Sequence, residues 1–236
     1  FMQDGYLPEA MFNFLANIGW NYDAEQEVFT IAEAVAAFDL RNINPAAAAV
    51  PYTKLDWLNG LYIRNLAPAD LQARLAPVLA QQLGQDEAAL RSSERLAQLV
   101  PIIQDRIKTL NEAGPMIDWA FVPADAVTYP DSSALVAKKM SAAQTLEILR
   151  AGESTLRLVS PFDAPTLEAA FRALADAAGV KVGAYFQPFR VAITGKAVAP
   201  PLFESMHVLG RDETVQRVGN AVRALAGEEE KMINDH

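Results

Sequence analysis

Residues 186–204 read FQPFRVAITGKAVAPPLFE, a nearly uncharged apolar run from Phe186 to Glu204 that contains one arginine, Arg190. The run ends in two prolines followed by Leu202 and Phe203. A guanidinium in such surroundings usually has a partner, and its flat face can stack on an aromatic ring or a nucleobase. Arg190 is therefore the first candidate functional residue. The alternative is an internal ion pair with Glu204 or a helix-capping role.

Helical periodicity extends on both sides of this run. Pro8 suits a first helical turn and Gly19 a helix end, and Thr30 with Glu33 forms a capping-box pattern. An apolar stripe in the first helix contains Leu7, Met11, Phe14, Leu15 and Ile18. Strand-like alternation is nowhere convincing, so the sequence predicts a mainly α-helical protein. Further helices are expected at about 54–64, 69–83, 86–98, 100–111, 142–150, 165–178, 182–193, 201–209 and 212–225.

Proline-bounded segments suggest where compact units are joined. At 236 residues the chain exceeds the usual size of one domain, so two or three units are expected. Residues 44–51 should form a loop, since residues before proline disfavour helix. Residues 114–133 contain three prolines and should form a seam, with Trp119 and Phe121 buried against neighbouring elements. The acidic run Glu228–Glu230 is expected to be frayed and solvated.

Composition narrows the possible partners. The apolar share of 51% can form a substantial core, and no apolar run reaches the ~18 residues that a membrane span needs. Cysteine is absent, which excludes disulfides and fits a cytosolic protein; metal binding is not expected. The net charge is −9, but the excess of acid lies in residues 1–50 and 226–236 and leaves the middle neutral. Any nucleic-acid binding must therefore come from a few placed contacts.

The run from Phe186 to Glu204 resembles the C-terminal signature of bacterial glutamyl-tRNA synthetases, FQPLRxALTGxxxxPPLFE. A second set of motifs resembles the segment that follows the catalytic lysine loop of that family, and Ser160-Pro161-Phe162 fits between the two sets. The motifs occur in matching order and cover nearly the whole chain. Those of the second set are GYLPEA at 5–10, NFL at 13–15, GW at 19–20, KLDWLNG at 54–60 and YIR at 62–64.

The resemblance implies an all-α fold. A stem-contact helical region at 1–66 would be followed by two helical-cage anticodon-binding subdomains at 67–132 and 133–236. The chain would be the tRNA-binding and anticodon-recognising portion of a glutamate–tRNA ligase, a class I enzyme that charges glutamate tRNA with glutamate using ATP. The expected partner is glutamate tRNA, with glutamine tRNA left open as a second. The protein is expected to be a cytoplasmic monomer.

The catalytic part of that enzyme is not found in the sequence. The only histidines, His207 and His236, lie in no nucleotide-binding motif. Lys139-Met140-Ser141 imitates the start of a catalytic lysine loop, but two alanines follow it, and Ser141 with Gln144 reads better as a capping box. We therefore expect no catalytic residues, no metal and no cofactor in this chain. ATP and Mg²⁺ would belong to the missing catalytic domain, and the fragment alone should be inactive.

The resemblance assigns roles to four residues in an anticodon-binding site. Arg190 would contact the first two anticodon bases, and Pro200 with Leu202 would line the pocket for them. Ala199 departs from the Ser or Thr often found in the family, which puts one hydroxyl contact in doubt. Arg106 would meet the third base from a helix. The alternatives are ordinary packing for Pro200 and Leu202 and a solvated helix face for Arg106.

Other residues receive less specific predictions. Lys54 and Arg64 are possible contacts to the tRNA stem. Trp57 and Tyr62 are expected in the core, because aromatic residues at helical spacing usually pack. Gly60 should allow close approach of another backbone, and His207 should be a structural polar residue. A second function from a different class remains open. An α-helical protein-interaction scaffold without RNA binding would use its acidic surface to favour basic partners.

Overall fold

The computed structural model describes residues 1–20, 22, 26–43, 51–129, 132–137 and 139–234. These residues contain no β-strand, only an isolated antiparallel bridge between Trp20 and Ile43. The prediction of an all-α fold is confirmed. Among the described residues, none of the helices is long and apolar enough to cross a membrane. The helices are α1 (Pro8–Gly19), α2 (Ile31–Ala37), α3 (Tyr52–Asn65), α4 (Pro68–Leu83), α5 (Glu87–Arg91), α6 (Glu94–Ile103), α7 (Ala113–Ile117), α8 (Ala142–Leu158), α9 (Ala164–Ala177), α10 (Val182–Thr194), α11 (Leu202–Leu209) and α12 (Arg211–Asn234).

The chain forms two compact units, Phe1–Pro115 and Met116–His236. The boundary lies within the segment 114–133, where short 3₁₀ turns replace long helices. Trp119 is buried there, as expected, whereas Phe121 is half-buried. The three-part division at residues 66 and 132 stays a prediction. The predicted loop at 44–51 lies outside the described residues except for Pro51, whose backbone is extended.

In the first unit, α1 packs against α3 around Phe14, Leu55 and Leu58. Pro8 occupies the first turn of α1, and the helix ends at Gly19, as the sequence predicts. The Thr30–Glu33 capping box that begins α2 is also confirmed. Leu15 was expected to join the apolar stripe, but 56% of it is exposed. The buried face of α1 is thus narrower than the sequence pattern indicates.

The helix predicted at 86–98 is in fact two helices. Asp86 caps α5 by accepting the N–H of Ala89, and Ser93 caps α6 by accepting the N–H of Leu96. The side-chain amide of Gln72 in α4 donates to the carbonyls of Leu90, Arg91 and Ser93 at 3.0–3.2 Å. It thereby satisfies backbone groups that the break exposes. The error arose because the capping serine lies inside a continuous apolar pattern.

In the second unit, α8 and α12 pack along one another, and α9, α10 and α11 complete the cage. The capping box of Ser141 and Gln144 begins α8, so the Lys139-Met140-Ser141 triplet is a helix start. The last helix was expected to end near Leu225, and its backbone instead continues to Asn234. Glu and Lys are good helix formers, which explains why the acidic segment extends the helix rather than fraying.

Candidate nucleic-acid interface

Arg190 lies in the third turn of α10, a helix whose apolar residues are almost all buried. Its side chain is half-buried and follows Phe189, which is fully buried. Within the described residues no carboxylate forms an ion pair with its guanidinium, and Glu204 is exposed on α11. The internal ion pair weighed as the alternative is therefore not formed. The guanidinium keeps its donors for another ligand.

The helix that carries Arg190 ends at a defined turn. Gly195 has a φ of +71°, a conformation that glycine adopts without strain, and its N–H donates to the carbonyl of Val191 at 2.8 Å. Beyond it, Lys196 Nζ donates to both carboxylate oxygens of Asp118 at 2.7 Å. This ion pair holds the base of the loop that leads from Arg190 to Pro200.

Pro200 and Leu202 lie at the end of that loop, and both are buried; Leu202 is 3% exposed. Leu202 is the first residue of α11, and the ring of Phe203 packs edge-on against Phe171 and Phe186, with centroids 5.6 and 4.9 Å apart. Ordinary packing, the alternative interpretation of Pro200 and Leu202, therefore accounts for the burial of these side chains. Their role in lining a base pocket stays a prediction.

Val198 presents more surface than either of these residues, because 89% of it is exposed between Arg190 and the double proline. An exposed apolar side chain on the loop that follows the helix of Arg190 can pack against the face of a nucleobase. Sequence reasoning missed Val198, and the only signal was its place in a short loop between two buried helices.

Arg106 was predicted to lie on a helix, and this is wrong. It lies in the turn that follows α6. Its N–H donates to the carbonyl of Ile103 at 2.8 Å, and its side chain is exposed. Gln104, the residue after α6, turns its side-chain amide onto the end of α3. Its Nε2 donates to the carbonyls of Ile63 and Leu66 at 2.9 and 2.8 Å. It thereby satisfies backbone carbonyls that the end of α3 leaves without an intrahelical partner.

Lys54 and Arg64 lie near opposite ends of α3. Lys54 forms an exposed ion pair with Glu27, with Nζ 2.8 Å from Oε1. Such a pair contributes little and does not prevent Lys54 from meeting another anion. Arg64 is exposed and has no carboxylate partner among the described residues. The two predicted stem-contact residues therefore differ in how freely they can bind phosphate.

Gly60 brings a second cation beside Arg64. A Cβ built on Gly60 would lie 3.2 Å from Arg64 Nη1 and 3.6 Å from both Cα and Cγ of Lys108. The backbone approach predicted at Gly60 is present, although at ordinary contact distance. The buried Asn59 donates to the carbonyl of Lys108 and accepts the N–H of Leu7. The backbone of Lys108 is thus held against α3 near Gly60, and its side chain is exposed.

Trp57 was expected in the core, and this is wrong, since 47% of it is exposed. It lies seven residues before Arg64 and so shares a face of α3 with it. Tyr62 is half-buried as predicted, and its hydroxyl bonds to Asn13 Oδ1 and to the carbonyl of Phe29. Helical spacing alone did not show which of the two aromatic residues faces the core.

The structure brings some predicted residues together and leaves others in separate units. Arg64 and Lys108 both approach Gly60 of α3, and Arg106 follows Gln104, whose side-chain amide bonds to the end of that helix. Arg190, Pro200 and Leu202 lie in the second unit, together with His207. The ring nitrogen Nδ1 of His207 bonds to the carbonyl of Phe162 at 2.9 Å, a structural contact. Among the described residues, no three His, Asp or Glu side chains are placed to hold a metal ion.

The chain matches known proteins over most of its length. Residues 70–222 match the family model of the anticodon binding domain. Over 223 residues the chain is 39% identical to the glutamate–tRNA ligase of Herpetosiphon aurantiacus, covering 94% of this chain and 44% of that protein. It is 40% identical over 226 residues to the glutamate–tRNA ligase of a Roseiflexus species, covering 95% and 44%. The chain therefore spans less than half the length of these relatives.

Solved structures share the fold. The crystal structure of a glutamate tRNA ligase from Elizabethkingia meningosepticum, in complex with its amino acid, superposes with a TM-score of 0.78 at 22% identity. It covers 94% of this chain and 42% of that one. The glutamate–tRNA synthetase of Elizabethkingia anophelis gives a TM-score of 0.75 at 22% identity, over 93% and 41%. Because the family model spans well over half of its residues, this chain belongs to the anticodon binding domain family.

Proposed function

We propose that this chain is the anticodon-recognising part of a glutamate–tRNA ligase, the enzyme that charges glutamate tRNA with glutamate. The observation that carries the proposal is Arg190. It is a half-buried guanidinium in an apolar helix, and the described part of the chain offers it no carboxylate. A half-buried guanidinium without an internal carboxylate keeps its donors available to a ligand. The relatives named glutamate–tRNA ligase support the identity of that ligand as RNA.

The chemistry of Arg190 suits an unstacked base. Single-stranded loops expose base edges and faces, and a planar guanidinium can bond to the former or stack on the latter. Val198 supplies an apolar contact on the loop that follows the same helix. Because the chain carries a net charge of −9, general attraction for phosphate is weak. Specific contacts of this kind must therefore supply much of the binding energy.

The first unit would hold the RNA backbone. Arg64 and Lys108 are exposed cations that both approach Gly60, and neither has a carboxylate partner among the described residues. A phosphate could bind to both side chains, and the exposed ring of Trp57, on the same face of α3 as Arg64, could pack against a ribose or base. Arg106, in the neighbouring turn, would reach the third anticodon base. In the family an arginine there favours glutamate tRNA over glutamine tRNA.

The remaining steps belong to the longer enzyme. Glutamate activation, ATP and Mg²⁺ are assigned to residues outside this chain, and no side chain here is given a part in them. The protein would act as a monomer in the cytoplasm, where translation takes place. This location suits a chain without cysteine, because it forms no disulfide and so needs no oxidising compartment.

The test is substitution of Arg190. Arg190→Ala should weaken binding of a glutamate tRNA transcript by roughly 1–3 kcal/mol, the range for one lost base contact. Arg190→Lys should be nearly as harmful, because an ammonium lacks the planar fork. Filter binding measures the affinity for tRNA, and thermal melting measures the stability of each variant. The melting temperature should change little.

The matched control is Arg172→Ala. Arg172 is an exposed arginine of the same unit, paired with Glu168 along α9, and its loss should leave affinity unchanged. Undiminished affinity of Arg190→Ala, together with a clear drop in melting temperature, would assign Arg190 to structure. The anticodon proposal would then be abandoned.

A second candidate function, the protein-interaction scaffold, is favoured by one observation. An apolar groove of about 540 Å³ lies between α1 and α2 and is lined by Phe12, Leu15, Trp20, Val35 and Phe38. Exposed apolar surface of this kind often marks a protein interface. A filter-binding assay with glutamate tRNA and an anticodon-mutated transcript separates the two functions, since a scaffold would bind neither specifically.

A further inference from the structure

Arg217 in α12 is fully buried, which is unusual for arginine. Its Nη1 donates to the carbonyl of Ile193 at 2.6 Å. Its Nη2 donates to the carbonyl of Val122 at 2.8 Å and to Glu213 Oε1 at 2.5 Å. Ile193 is in the last turn of α10, three residues after Arg190. The buried guanidinium thus joins α12 to the end of the helix that carries Arg190.

Tyr129 contacts the same helix end. Its hydroxyl donates to the carbonyl of Ala192 at 2.6 Å and lies 3.2 Å from the carbonyl of Arg217. Burial raises the pKa of Tyr129 to about 12, so the hydroxyl keeps its proton at neutral pH. We call Tyr129 and Arg217 the carbonyl clamp. The last carbonyls of a helix have no partner within it, and the clamp satisfies two of them from other elements.

The helix needs such support because Pro188 lies inside it, two residues before Arg190. A proline in a helix interior removes one hydrogen bond and crowds the preceding turn. The direction of the segment after Pro188 is therefore less strongly fixed by the helix itself. Thr194 adds a local bond, from Oγ1 to the carbonyl of Arg190 at 2.7 Å. The clamp fixes the same turn from outside.

Keeping a buried arginine for this purpose is costly, since a charged group must be removed from water. An apolar residue of similar volume could fill the space, but it could not hold a carbonyl of α10 at 2.6 Å. A recognition residue must be held within about 0.5 Å of its productive position to act fully. The geometry indicates that Arg217 orients the end of α10 and does not only fill space in the core.

We propose that Tyr129 and Arg217 are positioning residues that fix the carboxyl end of α10 and thereby aim Arg190 at the anticodon. The proposal rests on the function inferred above. It adds that discrimination between anticodons depends on a half-buried tyrosine and a buried arginine that do not touch the RNA themselves.

Tyr129→Phe is the sharpest test, because it removes only the hydroxyl. We expect the ratio of affinities for a glutamate tRNA transcript and an anticodon-altered transcript to fall about five-fold, the factor for one hydrogen bond. Affinity for the altered transcript should not change. Arg217→Lys should lower the ratio further, since an ammonium cannot reach the three acceptors in the same geometry. Filter binding gives the ratio, and a melting curve of each variant accompanies it.

Tyr185→Phe is the matched control. Tyr185 is a buried tyrosine that lies in α10 itself, and its hydroxyl makes no hydrogen bond with the described residues. This variant should keep both the ratio and the melting temperature of the unaltered chain. A difference between Tyr129→Phe and Tyr185→Phe then reports the bond to Ala192 rather than the loss of a tyrosine hydroxyl in general.

The outcomes separate the two proposals. An unaltered chain that binds both transcripts equally overturns the proposed function before any clamp variant is measured. If Arg190→Ala removes discrimination but Tyr129→Phe retains it in full, the positioning role alone is overturned. Equal loss of affinity for both transcripts with a lowered melting temperature would assign the clamp to folding and also overturn it.

Discussion

Gly152 lies at a close contact between two helices of the second unit, α8 and α10. A Cβ at this position would lie 2.3 Å from both Cε1 and Cζ of Phe189, a distance that packed atoms do not reach. Glycine in α8 therefore allows α10 to approach, although it costs about 1 kcal/mol relative to alanine in a helix interior. Phe189 is the residue before Arg190, so this contact adjoins the candidate site.

Gly152→Ala should destabilise the protein by about 1–3 kcal/mol, because overpacking of a fully buried contact forces the ring or the helix to move. Urea unfolding followed by circular dichroism measures the change. Gly183→Ala is the control, since a Cβ there meets nothing within 4 Å and should raise stability slightly. Equal behaviour of the two variants would contradict the packing argument.

The sequence indicated which residues are candidates for the site better than it indicated how exposed they are or what they contact. The sequence singled out Arg190 because an arginine in an apolar run is unusual. It could not show that Glu204 lies elsewhere, that Leu202 is covered, or that Trp57 and Val198 are exposed. Those facts depend on contacts between distant elements, and a local pattern carries no information about them.

Helices were predictable where a capping residue and an amphipathic stripe agreed. The starts of α1, α2 and α8 follow from Pro8, Thr30 and Ser141. Errors arose at α5, α6 and the turn after α6, where Gln72 and Gln104 bond to backbone carbonyls of other elements. Both glutamines bond to the ends of helices that lie 18–41 residues away along the chain, and a local pattern does not show such partners.

One ion pair links two elements of the first unit, α1 and α4. Arg74 donates to both carboxylate oxygens of Glu9, at 2.7 and 3.0 Å, and the two side chains are about one-third exposed. The hydrogen bonds from Arg74 hold the pKa of Glu9 below its usual 4.5. The pair therefore contributes stability above the unfolded pKa. That contribution is lost as the pH falls through the lowered folded value.

Glu9→Gln should lower the melting temperature at pH 7, and the difference from the unaltered chain should shrink as the pH falls below about 4.5. The effect should be small, since a partly exposed pair contributes about 1 kcal/mol or less. The same substitution in an Arg74→Gln background isolates the pair. A pH-independent difference in the single variant would show that Glu9 acts through packing instead.

At the scale of the whole molecule, charge and function are distributed unevenly. The acidic excess lies near the ends of the sequence, whereas the candidate RNA contacts fall between residues 54 and 202. The first compact unit contains Arg64, Lys108 and Arg106, and the second contains Arg190. An acidic protein can bind RNA in this way only if cations without internal partners are concentrated at a few positions.

The last prediction concerns catalysis by the isolated chain. It should not support glutamate-dependent exchange of pyrophosphate into ATP, with or without glutamate tRNA. The one triplet that imitates a catalytic lysine loop, Lys139-Met140-Ser141, ends in a capping box. Ser141 Oγ accepts the N–H of Gln144, and Gln144 Oε1 accepts the N–H of Ser141 at 2.9 Å. A serine engaged in starting a helix is not placed to bind nucleotide phosphates.

Incorporation of labelled pyrophosphate into ATP measures this activity, and a complete glutamate–tRNA ligase serves as the positive control. The Lys139→Ala variant identifies contamination, because traces of host enzyme would persist in both preparations. Exchange that copurifies with the chain and disappears in Lys139→Ala would contradict the prediction. It would mean that residues 139–141 bind nucleotide despite the helix start. This chain would then take part in the activation of glutamate as well as in the binding of tRNA.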